Sequence, residues 1–178
     1  IKDISFLLKD RFKYYLKDKN FRPDIIDAAV KILDLNKIST THEKAKSLNK
    51  IIEKPIGMDV VSSYKRAFNI ISSETKKAGE NLTNTTDPGI FNNEYEKALF
   101  KKTNELKQHF AMVENKQNFD EILSSLASAK KEIFDFFDNV KVNDESEIIK
   151  KNRLELLSFF CKTYENFIDF QLIKDANE

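Results

Sequence analysis

Side chains able to carry out covalent or metal chemistry are few here: the imidazoles of His42 and His109, and a single thiol, Cys161. A structural zinc site draws on four Cys or His ligands. The two imidazoles lie far apart, with no partner at ligand spacing, and read as surface or capping histidines. Cys161 falls on an apolar stripe between Phe160 and Tyr164, with no histidine near it in sequence, and reads as a buried, inert thiol. Carboxylates three residues apart on a helix, such as Asp135 and Asp138, read as a solvated face rather than an acid–base dyad. Gly57, Gly79 and Gly89 are isolated, so neither a P-loop nor a dinucleotide-binding glycine turn is present. No catalytic constellation, metal site or cofactor site is expected within the chain.

Arginine usage is more informative. Of 30 basic residues only Arg11, Arg22, Arg66 and Arg153 are arginines. In a lysine-rich chain each of them is a candidate for the planar, forked or stacked contacts that lysine cannot make. Lys65 and Arg66 stand beside Tyr64. Lys150, Lys151, Asn152 and Arg153 cluster at the start of a helix, where the helix dipole disfavours cations, which points to an anion supplied from elsewhere. That anion is either an RNA phosphate or an internal carboxylate, for instance in an Arg153–Asp138 pair.

The elements that position these groups are helical. Three Gly and three Pro in 178 residues disfavour turn-rich β folds. Ile4, Leu7, Leu8, Phe12, Tyr15 and Leu16 form an apolar stripe on a first helix. Pro23 suits the first turn of a second, with Ile25, Ile26, Ala29, Val30 and Leu33 inward. Thr40 and Glu43 have capping-box spacing at the start of a third, whose inner face is Ala45, Leu48, Ile51 and Ile52. A fourth follows Pro55–Gly57 to about Ser73. A polar loop covers about residues 76–93, and its Asn, Thr and Gly content predicts partial disorder in the free domain. Three longer helices are expected beyond it. One spans about 93–114. Another opens on Asn118, with Ile122, Leu126, Ala129, Ile133 and Phe137 inward. A last one has Asp144 and Glu147 at capping-box spacing and Ile148, Leu154, Leu157, Phe160, Cys161, Tyr164 and Ile168 inward. The expectation is an all-α fold, a single bundle of about seven helices over residues 1–178.

A net charge of +1 provides no global attraction to nucleic acid, so RNA binding would require basic residues segregated on one face. No run of residues has the length and apolarity of a membrane span, and a lone cysteine fits a reducing compartment; a cytoplasmic location is expected. The chain opens on Ile1 without a signal-peptide pattern, as expected of a segment of a longer protein.

Three segments carry a resemblance. FFDNVKVNDESEIIKKNRLELL, Phe136 to Leu157, is similar to the near-C-terminal FFD-x-V-x-V, acidic loop, N-R-L-x-L-L pattern of bacterial glycyl-tRNA synthetase beta subunits. SYKRAFNI, Ser63 to Ile70, resembles the Y-K-R-A-x-N-I segment of the same domain. DRFKYYLKDKNFRPDIIDAA, Asp10 to Ala29, resembles its first helix pair. The three run in the same order as in that family and span the chain. Departures are Asn139 where Lys is frequent, Asn20 where Gly is frequent, and Ile149 or Lys150 where an Arg is usual.

The resemblance implies a C-terminal anticodon-binding domain, DALR-like and similar to that of arginyl-tRNA synthetase, within the beta subunit of an alpha–beta heterotetramer. It implies that the parent is an aminoacyl-tRNA synthetase whose ATP, magnesium and glycine engage the alpha subunit, while this domain holds the anticodon end of glycine tRNA and is itself non-catalytic. The residues expected to meet RNA are Arg153 and Asn152, Lys65 and Arg66, and Arg11. The competing expectation is a helical module that docks subunits, with Phe134–Phe137 or Phe159–Phe160 supplying an exposed apolar stripe. A basic face would favour RNA, and an exposed Phe patch would favour docking.

Overall fold

A computed structural model describes residues 2–78, 82, 83, 85–114 and 116–174. The described residues contain eight α-helices and no strand: α1 (Lys2–Asp18), α2 (Pro23–Lys31), α3 (Ile38–Ile51), α4 (Pro55–Ala78), α5 (Glu94–Glu114), α6 (Phe119–Ala127), α7 (Lys130–Asn139) and α8 (Glu147–Glu165). Single 3-10 turns occur at Pro88–Ile90 and Phe170–Leu172. The all-α expectation matches this architecture.

The core forms where α4 and α8 pack together and α5, α6 and α7 close around them. Tyr64, Leu99, Ile122, Phe136, Leu156, Leu157, Phe160 and Tyr164 are all buried there. Helices α1 to α3 form an annex: α1 packs on α2, α2 on α3 and the Phe170–Leu172 turn, and α3 on α6 and α4. Lys44 fastens this annex. Its buried ammonium donates to Glu114 Oε1 (3.1 Å) and to the Asn166 carbonyl (2.9 Å), meeting the negative C-terminal ends of α5 and α8.

Local chemistry explains the breaks. Asn20 takes a left-handed φ of 60°, which Gly adopts freely and Asn tolerates, so the frequent Gly of the resemblance motif and this Asn serve the same turn. The Phe21 N–H then reaches back to the Leu16 carbonyl and closes the end of α1. At Gly57 a Cβ would stand 2.3 Å from the Ile51 carbonyl oxygen, so only glycine lets the first turn of α4 cross the end of α3. The stretch read as one helix from Asn118 is two. Ser128 Oγ donates to the Ser125 carbonyl (2.6 Å) and Tyr164 Oη to the Leu126 carbonyl (2.6 Å), drawing carbonyls out of the helical ladder between α6 and α7.

Several expectations need correcting. In α1 only Phe12 and Leu16 are buried; Ile4 (63% exposed), Leu7, Leu8 and Tyr15 are not. Ile148 is exposed as well, and Phe137 only half-buried. Helix α4 runs on to Ala78. Neither Thr40 nor Asp144 opens a helix as a cap: α3 begins after Lys37 and α8 after Ser146, both without a side-chain cap. Asn118 does cap, accepting the Glu121 N–H. A reciprocal capping box occurs instead at α5. There Asn93 Oδ1 accepts the Glu96 N–H (2.9 Å), while Glu96 Oε2 accepts the N–H groups of Asn92 and Asn93.

Of the 76–93 loop, residues 79–81 and 84 lie outside the described residues, and the expectation of disorder there stays open. The described part is tethered. Glu155 accepts the N–H groups of Thr83 (2.9 Å) and Thr85 (3.2 Å) and the Thr83 hydroxyl (3.0 Å).

Candidate nucleic-acid interface

The two later resemblance motifs meet at Arg66. It projects from α4 onto α7, where its guanidinium lies 4.6 Å from the ring centre of Phe134 and 4.9 Å from that of Phe137. Its Nη2 donates to Asp138 Oδ1 at 3.0 Å. Lys65 is half-buried next to it on α4. Lys130 reaches the Phe134 ring as well, 5.8 Å from its centre, and donates to Asp59 Oδ1 at 2.6 Å. Aromatic faces attract cations through their quadrupole, so the rings orient the guanidinium without consuming its N–H groups. The Arg66 side chain remains 36% exposed, so the guanidinium is not closed off from solvent. A guanidinium plane can stack an unpaired base, and its N–H groups can reach a base edge or a phosphate.

Arg153 and Asn152 are placed differently. Arg153 is 5% exposed; its Nε donates to Glu96 Oε1 (2.7 Å) and its Nη1 to Asp144 Oδ2 (2.7 Å) and the Lys141 carbonyl (2.9 Å). Asn152 makes two hydrogen bonds to the backbone of Asp87, accepting its N–H at 2.8 Å and donating to its carbonyl at 3.0 Å. Both residues therefore brace the loop and the 140–146 connector, and neither presents a free donor face to RNA. The anions that answer the cations at the start of α8 are internal: Glu96 and Asp144 for Arg153, and Glu74 for Lys150 (3.3 Å). Asp138, offered above as a partner of Arg153, belongs to Arg66. The N–H of Ser146 and then Arg153 hold the Asp144 carboxyl below its ordinary range.

Arg22 is also internal, donating to both oxygens of Asp24 and to the Lys174 carbonyl. Burial pushes the Asp24 carboxyl up, but Arg22 and the N–H groups of Lys174 and Ile25 outweigh it and hold the carboxyl low. Arg11 is exposed on α1 and lines an open hollow with Leu8, Phe12, Tyr15, Ile38 and His42. It lies in the annex, and the structure does not bring it together with Arg66.

The partners of Arg66 were not among the expected RNA contacts. Phe137 and Asp138 stand in a motif, yet nothing local marks them as neighbours of Arg66, 72 residues away for Asp138. A second aromatic–cation arrangement was also missed: Phe91, Phe100 and Phe159 touch in a row, and Lys107 lies 5.5 Å from the Phe159 centre. Phe136 and Phe160 are fully buried, and the half-buried Phe134, Phe137 and Phe159 each carry a cation. Among the described residues no group of three or more His, Cys, Asp or Glu is arranged to hold a metal ion, and no helix is long and apolar enough to cross a membrane.

The chain is an all-α bundle that sets cations over aromatic rings near its surface, and family comparison identifies its class. The pattern of the DALR anticodon binding domain matches residues 60–174, from α4 to the end of the described chain, and the chain belongs to that family. Similar proteins are glycine–tRNA ligase beta subunits. That of Rickettsia prowazekii (strain Madrid E) is 31% identical over 167 residues, 94% of this chain and 23% of the relative. That of Sulfurihydrogenibium sp. (strain YO3AOP1) is 32% identical over the same share of this chain and 24% of its own. That of Dinoroseobacter shibae is 28% identical over 172 residues, 97% of this chain and 24% of the relative. The chain thus spans about a quarter of the length of these curated relatives, and the matches include the annex that the family pattern leaves out.

Proposed function

We propose that this chain is the anticodon-reading domain of a glycine–tRNA ligase beta subunit, and that RNA meets it on the α4–α7 face around Arg66. The observation that carries this reading is the half-exposed Arg66 guanidinium lying over the rings of Phe134 and Phe137, with Lys65 next to it in α4 and Lys130 over the Phe134 ring. Stacking on such a plane contributes roughly 1–3 kcal/mol per base, and the lysines add salt-dependent attraction to phosphates. Arg153 acts one step removed, fixing the connector that follows α7, and Asn152 holds the loop at Asp87.

The chain supplies binding rather than chemistry. Activation of glycine with ATP and magnesium belongs to an alpha subunit, which the longer beta subunit joins in a heterotetramer in the cytoplasm. The test is binding of the chain to transcribed glycine tRNA and to a tRNA of unrelated anticodon, at two salt concentrations. The reading expects tighter binding to glycine tRNA at both, with Arg66→Ala erasing the preference. Equal affinity for the two tRNAs would overturn it.

A docking role has one observation of its own. Helix α1 exposes Ile4, Phe6, Leu7 and Tyr14, all more than half accessible. The face that would dock a neighbouring protein surface is therefore α1, not Phe134–Phe137 or Phe159–Phe160.

A further inference from the structure

We infer that the open face of α1 is an intramolecular seam: it docks an apolar, carboxylate-bearing surface of the same beta-subunit polypeptide, outside this chain. This rests on the proposed beta-subunit reading and supplies the occupant of a face remote from the RNA. At about 100° per residue, Ile4, Leu7, Leu8, Arg11, Tyr14 and Tyr15 fall within an arc of about 120° on α1. Phe12 and Leu16 extend that arc on one side and are buried, α1 packing chiefly on α2. The five apolar members of the open arc are each between 41% and 67% exposed. Leu8, Phe12 and Tyr15 also border a hollow of about 450 Å³ against Ile38 and His42 of α3. Single exposed leucines are ordinary, but a contiguous row on one helix face marks a contact surface. Arg11 stands within the row, exposed, and makes no hydrogen bond or ion pair among the described residues. A guanidinium ringed by apolar side chains is a forked site for a carboxylate on whatever closes over it.

Length and size choose the occupant. The chain spans 23% of the Rickettsia prowazekii beta subunit, so about three quarters of such a polypeptide lies outside it. The DALR pattern begins at residue 60, after the annex, whereas the beta-subunit relatives match over 94% of the chain. The annex and its open face thus accompany the beta-subunit chain rather than the anticodon-binding fold alone. A helix of 17 residues is about 25 Å long and about 10 Å across. One face of it falls short of the ~800 Å² that each partner contributes to a standard interface between separate chains. A tethered partner needs less area, because its effective concentration is already high. The same shortfall disfavours a second copy of this chain or a separate subunit. RNA is disfavoured as well, since the arc offers phosphates a single cation.

The experiment places a thiol on the face, Leu7→Cys or Tyr14→Cys, both in this chain and in the full-length beta subunit. Labelling by a maleimide is followed peptide by peptide in a mass spectrometer, at two protein concentrations, with and without the alpha subunit. Both positions are more than half exposed, and circular dichroism verifies that the variants fold. In this chain both thiols are expected to label at once. In the beta subunit alone they are expected to label more slowly by about tenfold or more, at either concentration, because the seam must open first. Adding Arg11→Glu, which repels the partner carboxylate, is expected to restore much of the lost rate. Fast labelling in the full-length beta subunit overturns the inference. Slowing that appears only with the alpha subunit overturns it too, and so does slowing that appears only at the higher concentration, which would mean a second copy. Preference for glycine tRNA is measured on the same preparations. Its absence strikes the anticodon-reading role, while the labelling ratio still decides the occupant of α1.

Discussion

Arg153 and Glu96 form an ion pair with 2.7 Å between Nε and Oε1, and their side chains are 5% and 1% exposed. Glu96 uses its other oxygen to cap α5, so a single carboxylate joins the start of that helix to α8. A pair at this depth repays its desolvation only while both partners remain fully hydrogen-bonded.

Removing one partner strands the other. Arg153→Ala is expected to cost about 3–5 kcal/mol in a urea titration, and Glu96→Ala a similar amount. Where Arg153→Lys remains folded, its RNA affinity should stay near wild type, because Arg153 is buried and spends its donors on Glu96, Asp144 and the Lys141 carbonyl.

The loop tether can be read amide by amide. In Glu155→Ala the Thr83 and Thr85 N–H groups lose their acceptor, so their hydrogen exchange should accelerate while the α5 core amides remain protected. Asn152→Ala should release the Asp87 N–H in the same way and cost about 1–3 kcal/mol. Unchanged exchange at all three amides would show that the loop is held by something else.

Acid should weaken the fold through Asp24. Its carboxyl is held below the ordinary value near 3.9, so its contribution is fully present above that pH and is lost as pH falls through the folded-state value. Asp144 adds in the same direction. Unfolding free energies measured between pH 3 and 7 should fall on the acid side for wild type. Asp24→Asn should be less stable at neutral pH and flatter below pH 4.

Burial, with Glu165 nearby, pushes the Cys161 thiol well up. A disulfide reagent should therefore label it only as fast as the chain opens, and at once in urea. Rapid labelling of the folded chain would contradict its place in the core.

Helical periodicity was a sound guide where a helix buries one face against sequence-distant neighbours, as α2 and α4 do, whereas α8 is buried all round from Asn152 to Leu157 and leaves Ile148 of its expected stripe exposed. It failed at the N-terminal half of α1, whose spacing is equally regular but whose apolar residues lie in the open. The α6–α7 break was hidden because the group that draws off the Leu126 carbonyl is Tyr164, on another helix. Arg66 was recognisable as a rare guanidinium in a lysine-rich chain. That it would lie on Phe134 and Phe137, whereas Arg153 would be buried, depends on helix packing that local spacing does not encode.

RNA is expected to meet the face built by Arg66, Phe134, Phe137 and Asp138. Amide chemical shifts of the labelled chain, followed while a glycine anticodon stem-loop is titrated in, test it most directly. Saturable shifts are expected in residues 62–69 and 130–141, with those near Arg11 unmoved. Shifts confined to the α5–α8 surface around Lys107 and Phe159, or to α1, would place the RNA elsewhere and contradict it.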